Sequence, residues 1–376
     1  MKRIPVLLMI ALLASCNKKD EVKPNELTDT AETGRFEVLW ERKLESSDKA
    51  FGYKLIPAEK DGQLYVASQS GEVVSYNAAT GAINWQVELE TEISAGPGIG
   101  TTILVLGGPE GQVTALDIDT GSQLWQSRVT SEVLSPPVID RNKVVIRTQD
   151  GRIYGFAIQN GERDWVFDTN IPNLTLRGNS TPVAKGGRIY IGFDNGKVAA
   201  LNINDGSVLW QQNVINSQGK TEIDRIADID GDIAVVATDL YLSSAADKTL
   251  SVATESGRVL WSQNVGSVTG VTVSRRSLYL TDNESTVHQL NRMDGSRGWT
   301  QGDLLNRGLT RPGFYLGDLL VADFAGYLHV LDGTSGAILN RKKTGDGPLF
   351  DAPLVVGDVI YTYNHDGRVM AMKYTQ

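Results

Sequence analysis

Every tryptophan in this chain falls on a single repeat. Trp40, Trp85, Trp125, Trp165, Trp210, Trp261 and Trp299 are separated by 45, 40, 40, 45, 51 and 38 residues, and they are all seven in the sequence. Self-similarity at such a period marks propellers and solenoids and overrides the two domains that length alone would suggest. The unit is clearest over residues 195–210, with relatives at 70–85, 110–125, 150–165 and 284–299. A further copy starts at Ala325 and carries Asn340 at the tryptophan position. Asn-Gly, Asp-Gly and Ser-Gly pairs supply the positive φ of tight hairpin turns, and the alternating apolar and small residues between them suit half-buried strands. A short strand such as 188–193 precedes each copy, and a fourth such as 181–184 precedes that. Four antiparallel strands make one propeller blade.

Seven units are complete, and fragments remain at both ends. Residues 36–44, with Trp40, read as an outermost strand lacking its blade, and residues 350–374 as three strands lacking a tryptophan strand. Joined, they complete an eighth blade, close the ring and remove the open sheet edges that invite aggregation. The expectation is an all-β, eight-bladed β-propeller of four-stranded antiparallel blades over residues 35–376, closed by its amino- and carboxy-terminal strands. Residues 233–261 fit least well. Residues 239–248 stand where other units have a short Gly-containing turn, so a longer hairpin or a bulge is expected there.

The amino terminus reads as a targeting segment. Lys2 and Arg3 precede an apolar run over 4–14, the length of a signal-peptide core and too short to span a bilayer. Leu13-Ala14-Ser15-Cys16 matches a bacterial lipobox, so residues 1–15 are expected to be cleaved and Cys16, the only cysteine, to be diacylated, palmitate included. Residues 16–34 are charged and poor in large apolar side chains, which reads as a flexible tether. A net charge of −9 argues against nucleic acid as a partner, since no basic excess is available to displace phosphate counterions.

Candidate chemistry is sparse. The offsets of Ala115-Leu116-Asp117, Thr120-Gly121 and Trp125 resemble the tryptophan-docking motif of quinoprotein dehydrogenases, in which the indole packs between blades. That motif reports fold rather than function. A pyrroloquinoline-quinone enzyme would need a calcium site, a catalytic Asp and usually a vicinal disulfide, which a single lipidated cysteine cannot form. His288, His329 and His365 lie singly in different blades, none with a second His or Cys at ligand spacing, and Gly96-Pro97-Gly98-Ile99-Gly100 lacks the setting of a phosphate loop. No catalytic residue, metal or cofactor is expected.

Loop length is more informative. Links between blades emerge on one face, together with the hairpins between second and third strands. Most links are short, such as 130–134 and 266–270. Two consecutive ones are long, 168–178 and 215–230, and should lie side by side. The first offers Leu174, Leu176 and Arg177, and the second Asp224, Arg225, Asp228 and Asp230. Aliphatic anchors ringed by charges are the ingredients of a protein contact. Solvated Asp-rich loops, with the leucines packed on a blade edge, account equally well for the composition.

Leu174-Thr175-Leu176-Arg177-Gly178, Thr221-Glu222-Ile223-Asp224-Arg225, Asp228-Ile229-Asp230, the stretch from Trp299 to Leu305 and Gly326-Tyr327-Leu328-His329 resemble the BamB family, the lipoprotein subunits of the outer-membrane β-barrel assembly machinery. The resemblance runs over essentially the whole mature chain. It implies a non-catalytic scaffold, lipid-anchored through Cys16 at the periplasmic face of the outer membrane, an address that Asn17 also suggests. It further implies binding to the periplasmic POTRA domains of BamA, chiefly the third, to other subunits through BamA, and assistance to nascent outer-membrane proteins. The family's BamA-binding positions fall on Leu174, Leu176, Arg177, Asp228 and Asp230, with Asp224 and Arg225 as possible supports. The departures are the irregular fifth repeat and Asn340. A quinoprotein-like dehydrogenase and a generic envelope adaptor are the alternatives, and addition of substrate strands to blade edges is a second mode of binding that no residue selects.

Overall fold

The computed structural model describes residues 23–29, 33–45, 52–169, 180–215 and 228–376. Among these residues eight sheets follow one another around a ring, each built on four antiparallel strands that, in all but the last, follow one another in chain order. Blade 4 is representative: strands Val183–Lys185, Arg188–Gly192, Lys197–Asn202 and Val208–Asn213, running from the ring's axis to its rim. Second and third strands are almost wholly buried, while the outer strand exposes all but its tryptophan. Apolar residues therefore fill the space between blades, and polar ones cover the rim.

Blade 8 is built as expected from both ends of the chain. Leu354–Val356, Val359–Tyr363 and Arg368–Thr375 are completed by Arg35–Lys43, which pairs antiparallel with Arg368–Thr375 from Arg35↔Thr375 to Lys43↔Arg368. Backbone hydrogen bonds thus stand where the other blades have a covalent turn.

Each tryptophan docks on the following blade. Trp165 Nε1 donates to the Ile203 carbonyl at 3.1 Å, and a Cβ placed on Gly206 would lie 2.5 Å from the Trp165 ring. The same pair of contacts recurs for Trp40 with Ala78 and Gly81, Trp85 with Ile118 and Gly121, Trp125 with Ile158 and Gly161, and Trp210 with Thr254 and Gly257. Trp261 with Arg292 and Gly295, and Trp299 with Gly333 and Gly336, complete the set. These glycines have φ between 65° and 77°, a conformation that disfavours any Cβ, so turn geometry and indole contact both demand glycine. Within its own blade the indole leans on a second-strand tyrosine, as Trp210 does on Tyr190 at 6.3 Å and Trp85 on Tyr65 at 6.0 Å.

The fifth blade differs from expectation. Asp239–Ser244 is its second strand and pairs in unbroken register with Lys248–Ala253, from Asp239↔Ala253 to Ser244↔Lys248. The connecting turn is short, and Asp247, at φ 51°, takes the left-handed conformation that glycine supplies in most of the other blades and Ser285, at φ 70°, in blade 6. The shift between Ser251 and Val252 also occurs before the tryptophan in blades 1, 3 and 4. The 51-residue spacing before Trp261 therefore reflects the link that precedes the blade.

Two features lie outside the repeat. Lys54–Leu55 pairs parallel with Ala95–Ile99, the inner strand of blade 2, as a fifth strand on the axial side. It carries Lys54 to Asp232 of blade 5, Nζ to Oδ1 2.7 Å. The backbone N–H of Thr181 donates to Asp232 as well, at 3.1 Å, and Arg311 lies 3.7 Å from Asp232 and 3.9 Å from Asp351. Burial disfavours the Asp232 charge, but Lys54 and Arg311 outweigh it and hold the carboxyl well below its ordinary range. Blades 4, 5, 7 and 8 are thus linked across the axis.

The second feature lies within residues 16–34, where a tether is expected and of which 23–29 and 33–34 are described. Its described part lies against blade 7. Asn25 N–H donates to Leu305 O at 3.0 Å, Arg307 Nη1 donates to Asn25 O at 2.9 Å, and Leu27 packs on the cluster that includes Leu304, Leu309 and Leu331. Arg341 donates to Thr28 O, and Thr33 N–H donates to Leu339 O at 3.1 Å. Sparse apolar content had hidden a strap held mainly by main-chain hydrogen bonds. Residues 1–15 and Cys16 lie outside the described residues.

Candidate functional site

The two long links follow blades 3 and 4 in the chain. Leu174, Leu176, Arg177, Asp224 and Arg225 fall outside the described residues, and Asp228 and Asp230 fall inside them. The composition of the second link fitted solvated carboxylates and a partner contact equally well; Asp228 is fully buried and Asp230 is 4% exposed. Both are held in the seam between blades 4 and 5. Ala245 N–H of blade 5 donates to Asp228 O at 3.0 Å, and Ile229 N–H donates to Phe193 O of blade 4 at 3.3 Å. Ile229 fills the space over Gly192, where a Cβ would lie 2.3 Å from its side chain. Apolar insertion of Ile229 thus draws its two acidic neighbours inward.

Beneath them sits a charge cluster that sequence reasoning missed. Arg147 ends the second strand of blade 3, Lys143–Arg147. Its Nη1 donates to Ser180 O at 2.9 Å and its Nη2 to Asp194 Oδ1 at 2.9 Å, with side chains only 1% and 3% exposed. The guanidinium lies 5.9 Å from the centre of the Phe193 ring. Burial raises the Asp194 pKa against the pull of Arg147. Asp230 is affected more strongly: burial first, then the neighbouring Asp194 and Asp228, push its carboxyl up to about 7 against the opposing charges of Arg147 and Lys54. No hydrogen bond reaches either Asp230 carboxylate oxygen among the described residues. Among the described residues Asp194 has Arg147 as its hydrogen-bonded counter-charge, while Asp230 has only the more distant fields of Arg147 and Lys54, a costly arrangement for a buried carboxylate.

The repeat itself held a signal for Arg147. The fifth residues of the eight second strands are Ala67, Gly107, Arg147, Gly192, Ser243, Thr281, Ala322 and Tyr363. Only Arg147 is charged. The histidines take structural roles: His288 pairs with Asp282 at 2.7 Å, the buried His329 with Asp323 at 3.1 Å beside Arg307, and His365 stacks near Phe350.

Docked tryptophans, terminal-strand closure and irregularity concentrated in two consecutive links define an eight-bladed propeller of the quinoprotein-repeat class, with its distinctive residues between blades. The chain matches the family model described as outer membrane protein assembly factor BamB over residues 28–97 and 69–301. It is 40% identical to the protein of that name from Alkalilimnicola ehrlichii, covering 100% of this chain and 97% of the relative. It is also 40% identical to the Pseudomonas aeruginosa protein, covering 95% and 94%. The crystal structure of BamB from Moraxella catarrhalis superposes with a TM-score of 0.83 at 29% identity, over 90% of this chain and 100% of that one. The chain belongs to the BamB family. A quinohemoprotein alcohol dehydrogenase from Comamonas testosteroni, at 12% identity and a TM-score of 0.66, shares the fold alone.

Proposed function

We propose that this protein is a non-catalytic scaffold in outer-membrane protein assembly, anchored by an acylated Cys16 at the periplasmic face of the outer membrane and bound to the POTRA region of BamA. Family membership over the full length carries the reading. The seam between blades 4 and 5 supports it, because Asp228 and Asp230, two of the positions that the resemblance implies for BamA binding, are buried there. In this reading Leu174 and Leu176 enter an apolar groove on BamA, and Arg177 pairs with a carboxylate or carbonyl there. Asp228 and Asp230, being buried, act by holding the second link rather than by touching the partner directly.

The test is recovery of BamA with the tagged protein from solubilised outer membranes. Leu176→Ala and Arg177→Ala in folded protein should each reduce recovery strongly, as loss of a hot spot of about 2 kcal/mol would. Unchanged recovery in both would place the contact elsewhere. Reduction of a dye after addition of pyrroloquinoline quinone and calcium would overturn the non-catalytic reading.

A further inference from the structure

We infer that Arg147 is a positioning residue for both partner-binding links, a role that rests on the proposed BamA contact. Its guanidinium ties the end of a blade 3 strand to two points of blade 4, the Ser180 carbonyl at its entry and the Asp194 carboxylate in its hairpin. Through Ser180 O it holds the backbone two residues beyond the first long link. Through Asp194 it holds the hairpin of blade 4, and that hairpin receives Ile229, where the second long link ends. Fork geometry lets one planar group serve both acceptors at fixed angles, which an ammonium cannot reproduce.

Charge makes the same residue hard to replace. Asp194 and Asp230 converge on this seam, and among the described residues Arg147 is the cation hydrogen-bonded to Asp194, while both Arg147 and Lys54 act on Asp230 through their fields. Without Arg147, a nearly buried Asp194 would face Asp230 with no hydrogen-bonded counter-charge, and the hairpin and the Asp228–Asp230 segment would be driven apart. The seven small or neutral residues at the equivalent strand position build their blades without an arginine, so the ring itself does not require one. Arg147 belongs to the links, and its effect should appear there.

The experiment compares full-length, membrane-extracted protein carrying Arg147→Met, Arg147→Lys, or Arg147→Met with Asp194→Asn, with Leu176→Ala as reference. Arg147→Met should lower BamA recovery tenfold or more, Arg147→Lys should restore only part of it, and adding Asp194→Asn to Arg147→Met should recover more than Arg147→Met alone by removing the stranded carboxylate. Amide hydrogen exchange at Ile229 and Asp230 should rise in Arg147→Met while amides in blade 7 stay as in the wild type. Undiminished recovery in Arg147→Met, with Leu176→Ala defective, would overturn this inference and leave the BamA reading standing. Undiminished recovery in Leu176→Ala would count against the BamA contact itself. If Arg147→Met does not fold, exchange in Arg147→Lys decides: equal acceleration around the ring means a purely structural residue and overturns the inference, whereas acceleration confined to the 180 and 229–230 amides supports it.

Discussion

Seven seams between blades are closed by an indole and one is not, and the exception explains the rule. A docking tryptophan needs a glycine in the outer turn of the following blade. Blade 8 has no such turn, because its outer strand comes from the other end of the chain. At the seam from blade 7 to blade 8 the tryptophan position holds Asn340, whose Nδ2 donates to Gly34 O at 2.9 Å, just ahead of the strand that replaces the turn. The Tyr315 hydroxyl supplements it, reaching Tyr374 O at 2.9 Å and Asp358 O at 3.0 Å. The hydrogen bond survives where the hydrophobic dock cannot. The motif is thus bipartite, with its halves on different blades, and a missing glycine removes the reason for the tryptophan.

The largest effect expected on this comparison comes from opening the exceptional blade. Removing residues up to Lys43 should expose the edge of Arg368–Thr375 and abolish cooperative unfolding, seen as aggregation and loss of a single thermal transition. A soluble monomer melting normally would mean that the closing strand is dispensable. Next, Trp165→Ala should destabilise by about 3–5 kcal/mol, as large-to-small changes of buried aromatics do, measured by urea unfolding.

The seam between blades 4 and 5 separates docking from charge, since it contains both Trp210 and the buried carboxylates. With its folded pKa near 7 and its unfolded value near 4, Asp230 holds its proton more tightly in the folded state. Stability is therefore greatest below about pH 4 as far as this group is concerned, falls as pH rises toward 7, and is lower by roughly 3–4 kcal/mol above it. Asp230→Asn should flatten the decline in melting temperature between pH 5 and pH 8; an unchanged slope would show that the carboxyl titrates normally.

Gly206→Ala should cost about 2–3 kcal/mol by strain and by displacing the Trp165 ring. Gly186→Ala, with a similar φ of 63° and open space around it, should cost about 1 kcal/mol; equal losses would mean that backbone conformation, and not docking, selects these glycines. The smallest effect is at the eighth seam, where Asn340→Ala should cost about 1 kcal/mol. Asn340→Trp should not stabilise; a gain would show that the dock does not require its glycine.

Periodicity revealed the ring because a propeller blade is a local object: turns, strands and the docking residue lie within about 45 residues, and the two unmatched ends could meet only each other. It failed where local pattern carries no information. In blade 5, Asp239–Ser244 looked like an extended turn because Asp247 replaces glycine. Lys54–Leu55 is too short to show alternation, and its place is set by pairing across the axis. At the site, an Asp-rich link reads equally well as solvated or as a partner contact, and only the insertion of Ile229 over Gly192 shows that Asp228 and Asp230 are inside. Arg147 stood out only once the second strands were aligned, because its partners are remote in sequence: Asp194 is 47 positions away.

The strap over blade 7 has a mechanical consequence. The pairing of Arg35–Lys43 with Arg368–Thr375 is the joint at which the ring lacks covalent continuity, and tension arriving through the amino terminus would tend to peel it from one end. The chain instead passes first along the rim of blade 7, where Asn25, Leu27 and Thr28 are gripped. A pull from that direction meets these contacts before any force reaches the closing strand, so the one joint held without covalent continuity is kept out of the first line of load.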